Sequence, residues 1–151
     1  MNQHHQHGNK KLNTNQLAVS ATMHCLTGCV IGEVIGLMLG VSLGWHPLQT
    51  AIVATALAFI TGFALTLLPT FKQGLSLRET FKAVWLGETI SIGVMEIVMN
   101  LVDYWIGGMN ATSIAEPIFW ISIGIAVVAG FAAGYPVNYF MLKKNLKQNC
   151  H

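Results

Sequence analysis

The chain has 151 residues, of which 53% are apolar and only 9% carry a formal charge. Soluble domains carry about 25% charged residues, so this chain lacks the charged surface that a soluble protein needs. The composition therefore excludes an ordinary soluble domain and indicates a protein that lies in a membrane.

Four apolar segments are long enough to cross a bilayer, which requires about 20 residues of α-helix. In chain order, the predicted spans are 17–43, 48–68, 81–102 and 117–142. We expect Pro69 to end the second span, and we expect the polar tail 1–16 to be disordered and the basic tail 143–151 to follow the last span. The sequence thus predicts one all-α domain, an integral membrane bundle of four transmembrane helices.

All eight basic residues fall at one end of this predicted bundle. They are Lys10, Lys11, Lys72, Arg78, Lys82, Lys143, Lys144 and Lys147. Because Lys and Arg are retained on the cytoplasmic side, we expect both termini to be cytoplasmic and the protein to lie, multi-pass, in the cell inner (cytoplasmic) membrane. The bilayer is then the expected partner, and the charge pattern gives no reason to expect nucleic-acid binding.

The first span carries side chains that are unusual in a membrane helix: it reads SATMHCLTGCVIGEVIGLMLGVSLG over residues 20–44. Residues three or four apart share a helix face, so Cys25, Cys29 and Glu33 form one stripe, with His24 beside Cys25. Imidazole and thiolate ligands suit soft cations. A copper or zinc ion is therefore a candidate cofactor.

Glycines form a second stripe on the same span, at strict intervals of four: Gly28, Gly32, Gly36, Gly40 and Gly44. Small residues at this spacing let two helix backbones approach closely. We expect the groove to hold another span of this chain, a second copy of the protein or a partner membrane protein. Gly130, Gly134 and Pro136 are the corresponding packing candidates in the fourth span.

The third span has a broad polar and sulfur-bearing face. The candidate residues on it are Glu88, Met95, Glu96, Met99 and Asn100, and Asn138 of the fourth span is added to this set. Three carboxylates, on Glu33, Glu88 and Glu96, thus fall in the hydrocarbon zone without Lys or Arg. An unpaired ionised carboxylate is very costly there, so these acids must be protonated, share protons, hold a cation or open onto water.

The segments HCLTGCVIGEVIG, ALTLLPTFKQGLSLR, ISIGVMEIVMN and FW…GYPVNYF carry a family resemblance. Over residues 21–142 the chain resembles small bacterial and archaeal membrane proteins known as domain of unknown function 4396. The residues on the family pattern are His24, Cys25, Gly28, Cys29, Gly32, Glu33, Met95, Glu96, Asn100, Pro136 and Asn138. Met99 stands where other members have Asp, and the resemblance implies no activity.

Two functions remain open from the sequence. The first is a protein that binds or transports a cation, either a soft metal such as copper or a proton, through an intramembrane His/Cys/Glu site. The second is a structural or assembly subunit that packs against a partner through the glycine stripe. An enzyme is not expected, because the chain has no nucleophile elbow, phosphate loop or zinc-protease motif.

Overall fold

The four apolar segments form four long α-helices in a computed structural model that describes residues 13–72 and 76–144. The helices are α1 (Thr14–Ser42), α2 (Pro47–Lys72), α3 (Leu77–Ile106) and α4 (Pro117–Lys143). One turn of 3-10 helix, Gly108–Asn110, lies between α3 and α4, and no strand occurs in these two ranges. The protein is therefore all-α, with four helices long and apolar enough to cross a membrane.

Several helix boundaries differ from the sequence prediction. Helix α1 begins at Thr14, within the segment 1–16 that was expected to be disordered. The Gln16 side chain caps the start of this helix, because its Oε1 accepts a hydrogen bond from the Asn13 backbone N–H at 3.2 Å. The second candidate membrane span is Pro47–Leu68, close to the predicted 48–68, but helix α2 itself runs through Pro69 to Lys72, so the proline does not end the helix. Proline omits one helical hydrogen bond, but its fixed φ angle is compatible with a helix.

Helix α3 extends further than the predicted 81–102. It begins after Ser76 and ends at Gly107, whose φ of +101° supplies the left-handed cap that glycine favours. The extension brings Asp103 into the helix rather than into the connection that follows it. Of the predicted tails 1–16 and 143–151, the parts 1–12 and 145–151 lie outside the described residues.

The helices form an antiparallel bundle in which α1 and α3 lie nearest to the axis. Helices α1 and α3 each pack against both α2 and α4, and they also contact each other. In the described ranges, α2 and α4 are not in contact. Short connections after α1 and α3 reverse the chain, so the start of α1 and the ends of α2 and α4 lie at one end of the bundle.

The outside of the bundle is covered by large apolar side chains. Ile35, Ile52, Ile97, Leu101 and Val128 are all exposed, on four different helices. A protein surrounded by water buries most of its large apolar side chains, whereas a protein in a bilayer can expose them to lipid tails without cost. The exposed surface therefore matches a bilayer environment, as the composition predicted.

The glycine stripe of α1 is covered by α2 of the same chain. A Cβ atom added to Gly28 would lie 2.6 Å from the Gly62 Cα, and one added to Gly32 would overlap the backbone of Leu57 and Ala58. Gly36 and Gly40 meet α2 in the same way. Of the alternatives left open by the sequence, the neighbouring span occupies the groove.

The last glycine of the predicted stripe takes no part in this contact. Gly44 lies beyond the end of α1 with a φ of +66°, and a Cβ atom there would meet nothing within 4 Å. It serves the turn that leads to α2, since only glycine adopts this left-handed conformation without strain. Its prediction as a packing residue is wrong.

Glycines of α4 pack against methionines of α3. A Cβ atom on Gly130 would lie 2.6 Å from the Met99 sulfur, and one on Gly134 would overlap the Met95 side chain. Pro136, by contrast, is exposed within an uninterrupted α4, so the structure does not support it as a packing residue. The two methionines fill space that the missing glycine side chains leave.

Candidate functional site

Two thiols of α1 face two carboxylates of α3 across the bundle axis. The Cys25 thiol donates a hydrogen bond to Glu88 Oε2 at 3.0 Å, and the Cys29 thiol is hydrogen-bonded to the Glu96 carboxylate. All four side chains are buried. The alignment arises because a spacing of four on α1 and a spacing of eight on α3 keep both pairs on facing helix surfaces.

Glu33 continues the α1 stripe towards the other end of the bundle. Its side chain is only 1% exposed, and neither carboxylate oxygen has a hydrogen-bond partner. The nearest charged groups are also acids, because Glu33 lies within electrostatic range of Glu96 and Asp103. A carboxylate in this setting needs a proton or a cation.

Asp103 is a buried acid that sequence reasoning had left out of the candidate site. It is 1% exposed, and its Oδ1 accepts a hydrogen bond from the Ser122 hydroxyl of α4, while its Oδ2 has no partner. Its spacing in the sequence nevertheless places it on the polar face of the third span. Asp103 follows Asn100 by three residues and Glu96 by seven, and therefore lies on the same face of α3.

Glu96 has the most hydrogen-bond partners of these acids. The Asn100 side-chain amide donates to Glu96 Oε2 at 3.3 Å and to the Thr55 hydroxyl of α2 at 3.2 Å, and Thr55 is also a partner of the Glu96 carboxylate. Glu96 Oε1 nevertheless remains without a partner, as does Asn100 Oδ1. Helices α1, α2 and α3 thus all contribute to the surroundings of this one carboxylate.

The unpaired atoms of this region are all oxygens. They are Glu33 Oε1 and Oε2, Thr50 Oγ1, Glu96 Oε1, Asn100 Oδ1 and Asp103 Oδ2. Five of the six can only accept hydrogen bonds while the acids are ionised. Buried polar atoms are nearly always paired in proteins, so this set indicates that donors are required.

Basic side chains do not supply those donors. Arg78, Lys82, Lys143 and Lys144 are all exposed and lie at the end of the bundle where α3 begins and α4 ends. Glu33 and Asp103 lie in the opposite half. These four basic side chains therefore leave the unpaired oxygens of Glu33, Glu96 and Asp103 without a donor.

Asn138 belongs to a different polar cluster. Its carbonyl oxygen accepts a hydrogen bond from Ser91 at 2.7 Å, and its amide donates to Thr22 at 3.0 Å. Thr22 in turn donates to the Ala18 carbonyl at 2.7 Å. This cluster ties α1, α3 and α4 together with paired groups, and it accounts for Asn138 as a structural residue.

The soft-metal site predicted from the sequence is not assembled. His24 is exposed, on the outer face of α1, while its neighbour Cys25 points into the bundle. Met95 and Met99 are fully buried against the glycines of α4. Across residues 13–72 and 76–144, no group of three or more His, Cys, Asp or Glu side chains is arranged to hold a metal ion.

The comparison with protein families agrees with the resemblance noted in the sequence. The family model described as domain of unknown function (DUF4396) matches residues 14–147, which include all four helices. The chain belongs to this family. Comparisons of this DUF4396 protein with curated proteins and with solved structures give no match.

Proposed function

We propose that this protein binds protons inside the membrane and conducts them along the bundle axis. The observation that carries the proposal is a row of buried protonatable groups on α3, at Glu88, Glu96 and Asp103. At a rise of about 1.5 Å per residue, this row extends over about 22 Å of a hydrocarbon layer about 30 Å thick. Neighbouring acids of the row are about 10–12 Å apart along the helix, so a proton must pass between them through intermediate groups.

Helix α1 supplies intermediate groups for this path. Cys25 and Cys29 are hydrogen-bonded to the first two acids of the row, and Glu33 interacts with both Glu96 and Asp103. A mobile proton requires acceptor atoms along its path. The unpaired oxygens in the half of the bundle that contains Glu33 can serve as such acceptors. Ionisable residues within membrane spans often form such proton relays.

A proton accounts for these observations better than a soft metal ion. Metal coordination requires several ligands around one point, whereas the acids here are spread along the axis. The alternative is a subunit that binds a partner protein through the glycine stripe. The stripe is not accessible to a partner, because α2 of the same chain already covers those glycines. The glycine groove therefore serves the fold of the chain itself.

The test is proton flux into liposomes that contain the purified wild-type protein. With a potassium-diffusion potential as the driving force, an entrapped pH dye should report flux well above that of protein-free liposomes. Elemental analysis of the same preparation should find no stoichiometric copper or zinc. Flux equal to that of empty liposomes would contradict the proposal, and a stoichiometric metal ion would favour the metal hypothesis instead.

We also propose that both termini are cytoplasmic. The exposed Arg78, Lys82 and Lys143 lie at one end of the bundle, whereas the exposed Trp45 and Trp105 lie at the other, where aromatic rings favour an interface. Reporter fusions after Gln73 and after His46 should therefore give cytoplasmic and external signals, respectively. An external signal at Gln73 would reverse the topology.

A further inference from the structure

A cleft of about 550 Å³ lies on the outside of the bundle between α2 and α3. Its walls are almost entirely apolar and include Ile52, Phe59 and Ile97. Because Ile52 and Ile97 lie on the lipid-facing surface, the cleft opens sideways towards the bilayer rather than towards either end of the bundle. A molecule dissolved in the membrane can therefore reach it.

Both helices contribute polar groups to this cleft, Thr55 from α2 and Glu96 and Asn100 from α3. Two acceptor atoms of these lining residues, Glu96 Oε1 and Asn100 Oδ1, are buried and have no hydrogen-bond partner. The donors of the Asn100 amide are already engaged by Thr55 and Glu96. The site consequently offers acceptors to a ligand and no free side-chain donor from Asn100.

From this pattern we infer that the α2/α3 cleft binds a lipophilic amine, held as an ammonium ion by Glu96 and Asn100. An ammonium group has donors and no acceptor, and its charge complements the Glu96 carboxylate. The apolar body of the amine would rest against Ile52, Phe59 and Ile97. An amine that arrives as the free base would take the proton of the Glu96 carboxyl group, which yields the bound ammonium and carboxylate together.

Gly93 keeps the cleft open. It is the residue of α3 that precedes Glu96 by almost one turn, and a Cβ atom added to it would approach only the Phe59 ring, at 4.0 Å. A larger side chain at this position would therefore enter the cleft without displacing backbone. This property provides a blocking variant that leaves the carboxylate itself unchanged.

The test uses three probes with the same apolar body: 1-adamantanamine, 1-adamantanol and 1-adamantanecarboxylate. Radiolabelled amine should bind saturably to the purified protein in lipid nanodiscs, and the alcohol should compete at least about tenfold more weakly, since a charge-assisted hydrogen bond is the stronger one. The carboxylate should not compete. Competition by the alcohol as strong as that by the amine would overturn the requirement for a cation.

Two variants separate the cleft from non-specific partition into lipid. Glu96→Gln and Gly93→Leu should each abolish saturable amine binding, while Gly124→Leu should leave it unchanged. Gly124 is the matched control, because it is an exposed helix glycine on α4 with nothing within 4 Å of its Cβ position. Binding that survives in a folded Gly93→Leu variant would place the amine elsewhere and overturn the inference.

The inference shares Glu96 with the proposed proton path, but the two can fail separately. Glu33 does not line the cleft, so Glu33→Gln should retain amine binding even where proton flux is lost. If the wild-type protein binds the amine but gives no proton flux, only the proton path is refuted. Flux without saturable amine binding would refute the cleft site alone.

Discussion

Replacing Glu33 by Gln is expected to reduce proton flux to the level of protein-free liposomes. Gln keeps the size of the side chain and most of its hydrogen-bonding capacity, but it cannot release a proton. Because Glu33 is the acid that interacts with both Glu96 and Asp103, its loss should interrupt the row between them. The measurement is dye-reported flux in liposomes at matched protein content.

The fold should tolerate this change. Both Glu33 oxygens lack partners in the structure, and an amide at this position would offer donors to the acids nearby, so stability should change by no more than about 1 kcal/mol. Glu116→Gln is the matched control, since Glu116 lies in the connection before α4 and its side chain accepts hydrogen bonds from Thr112, away from the bundle axis. Full flux in a folded Glu33→Gln variant would exclude Glu33 from the path.

Replacing Gly32 by Ile is expected to cause the largest loss of stability of any variant considered for this chain. Inserting bulk into a packed interior costs about 1–3 kcal/mol, and more when backbone must move. At Gly32 the obstacle is the backbone of Leu57 and Ala58, which cannot rotate away as a side chain can. We therefore expect a loss of at least about 3 kcal/mol.

The measurement is the denaturant-induced unfolding of the purified protein in detergent, followed by circular dichroism. Gly124→Ile is the matched control, because Gly124 also lies inside a long helix but has open space around its Cβ position. It should unfold like the wild type or slightly later, since Ile favours a helix more than Gly does. Equal stability of the two variants would contradict the close contact between α1 and α2.

The candidate site was predicted in part because its members follow helical periodicity. The stripe of Cys25, Cys29 and Glu33 and the face of Glu88, Glu96 and Asn100 are both visible in the chain, since side-chain direction on a helix follows from spacing alone. Asp103 shares this spacing but was left out of the candidate set, because the third span was predicted to end at residue 102 and the connection to begin at Asp103. The helix cap at Gly107 shows that the helix continues past it.

Spacing does not decide which neighbours a helix face meets. His24 and Cys25 are adjacent in the chain, yet one is exposed and the other buried, because consecutive helix residues differ in direction by about 100°. Likewise, Met95 and Met99 could be metal ligands or packing residues by sequence. In the structure both side chains lie against Gly130 and Gly134 of α4, a contact that the spacing within α3 does not reveal.

The sequence by itself determined the class of protein and the number of helices, because the apolar length needed to cross a bilayer and the scarcity of charge are properties of the chain alone. The tertiary structure decided what the polar residues do. It joins Ser91, Asn138 and Thr22 by hydrogen bonds, but it leaves Glu33, Glu96 and Asp103 with unpaired oxygens. Hydrogen bonding between helices depends on their relative rotation and distance, which no single helical pattern specifies.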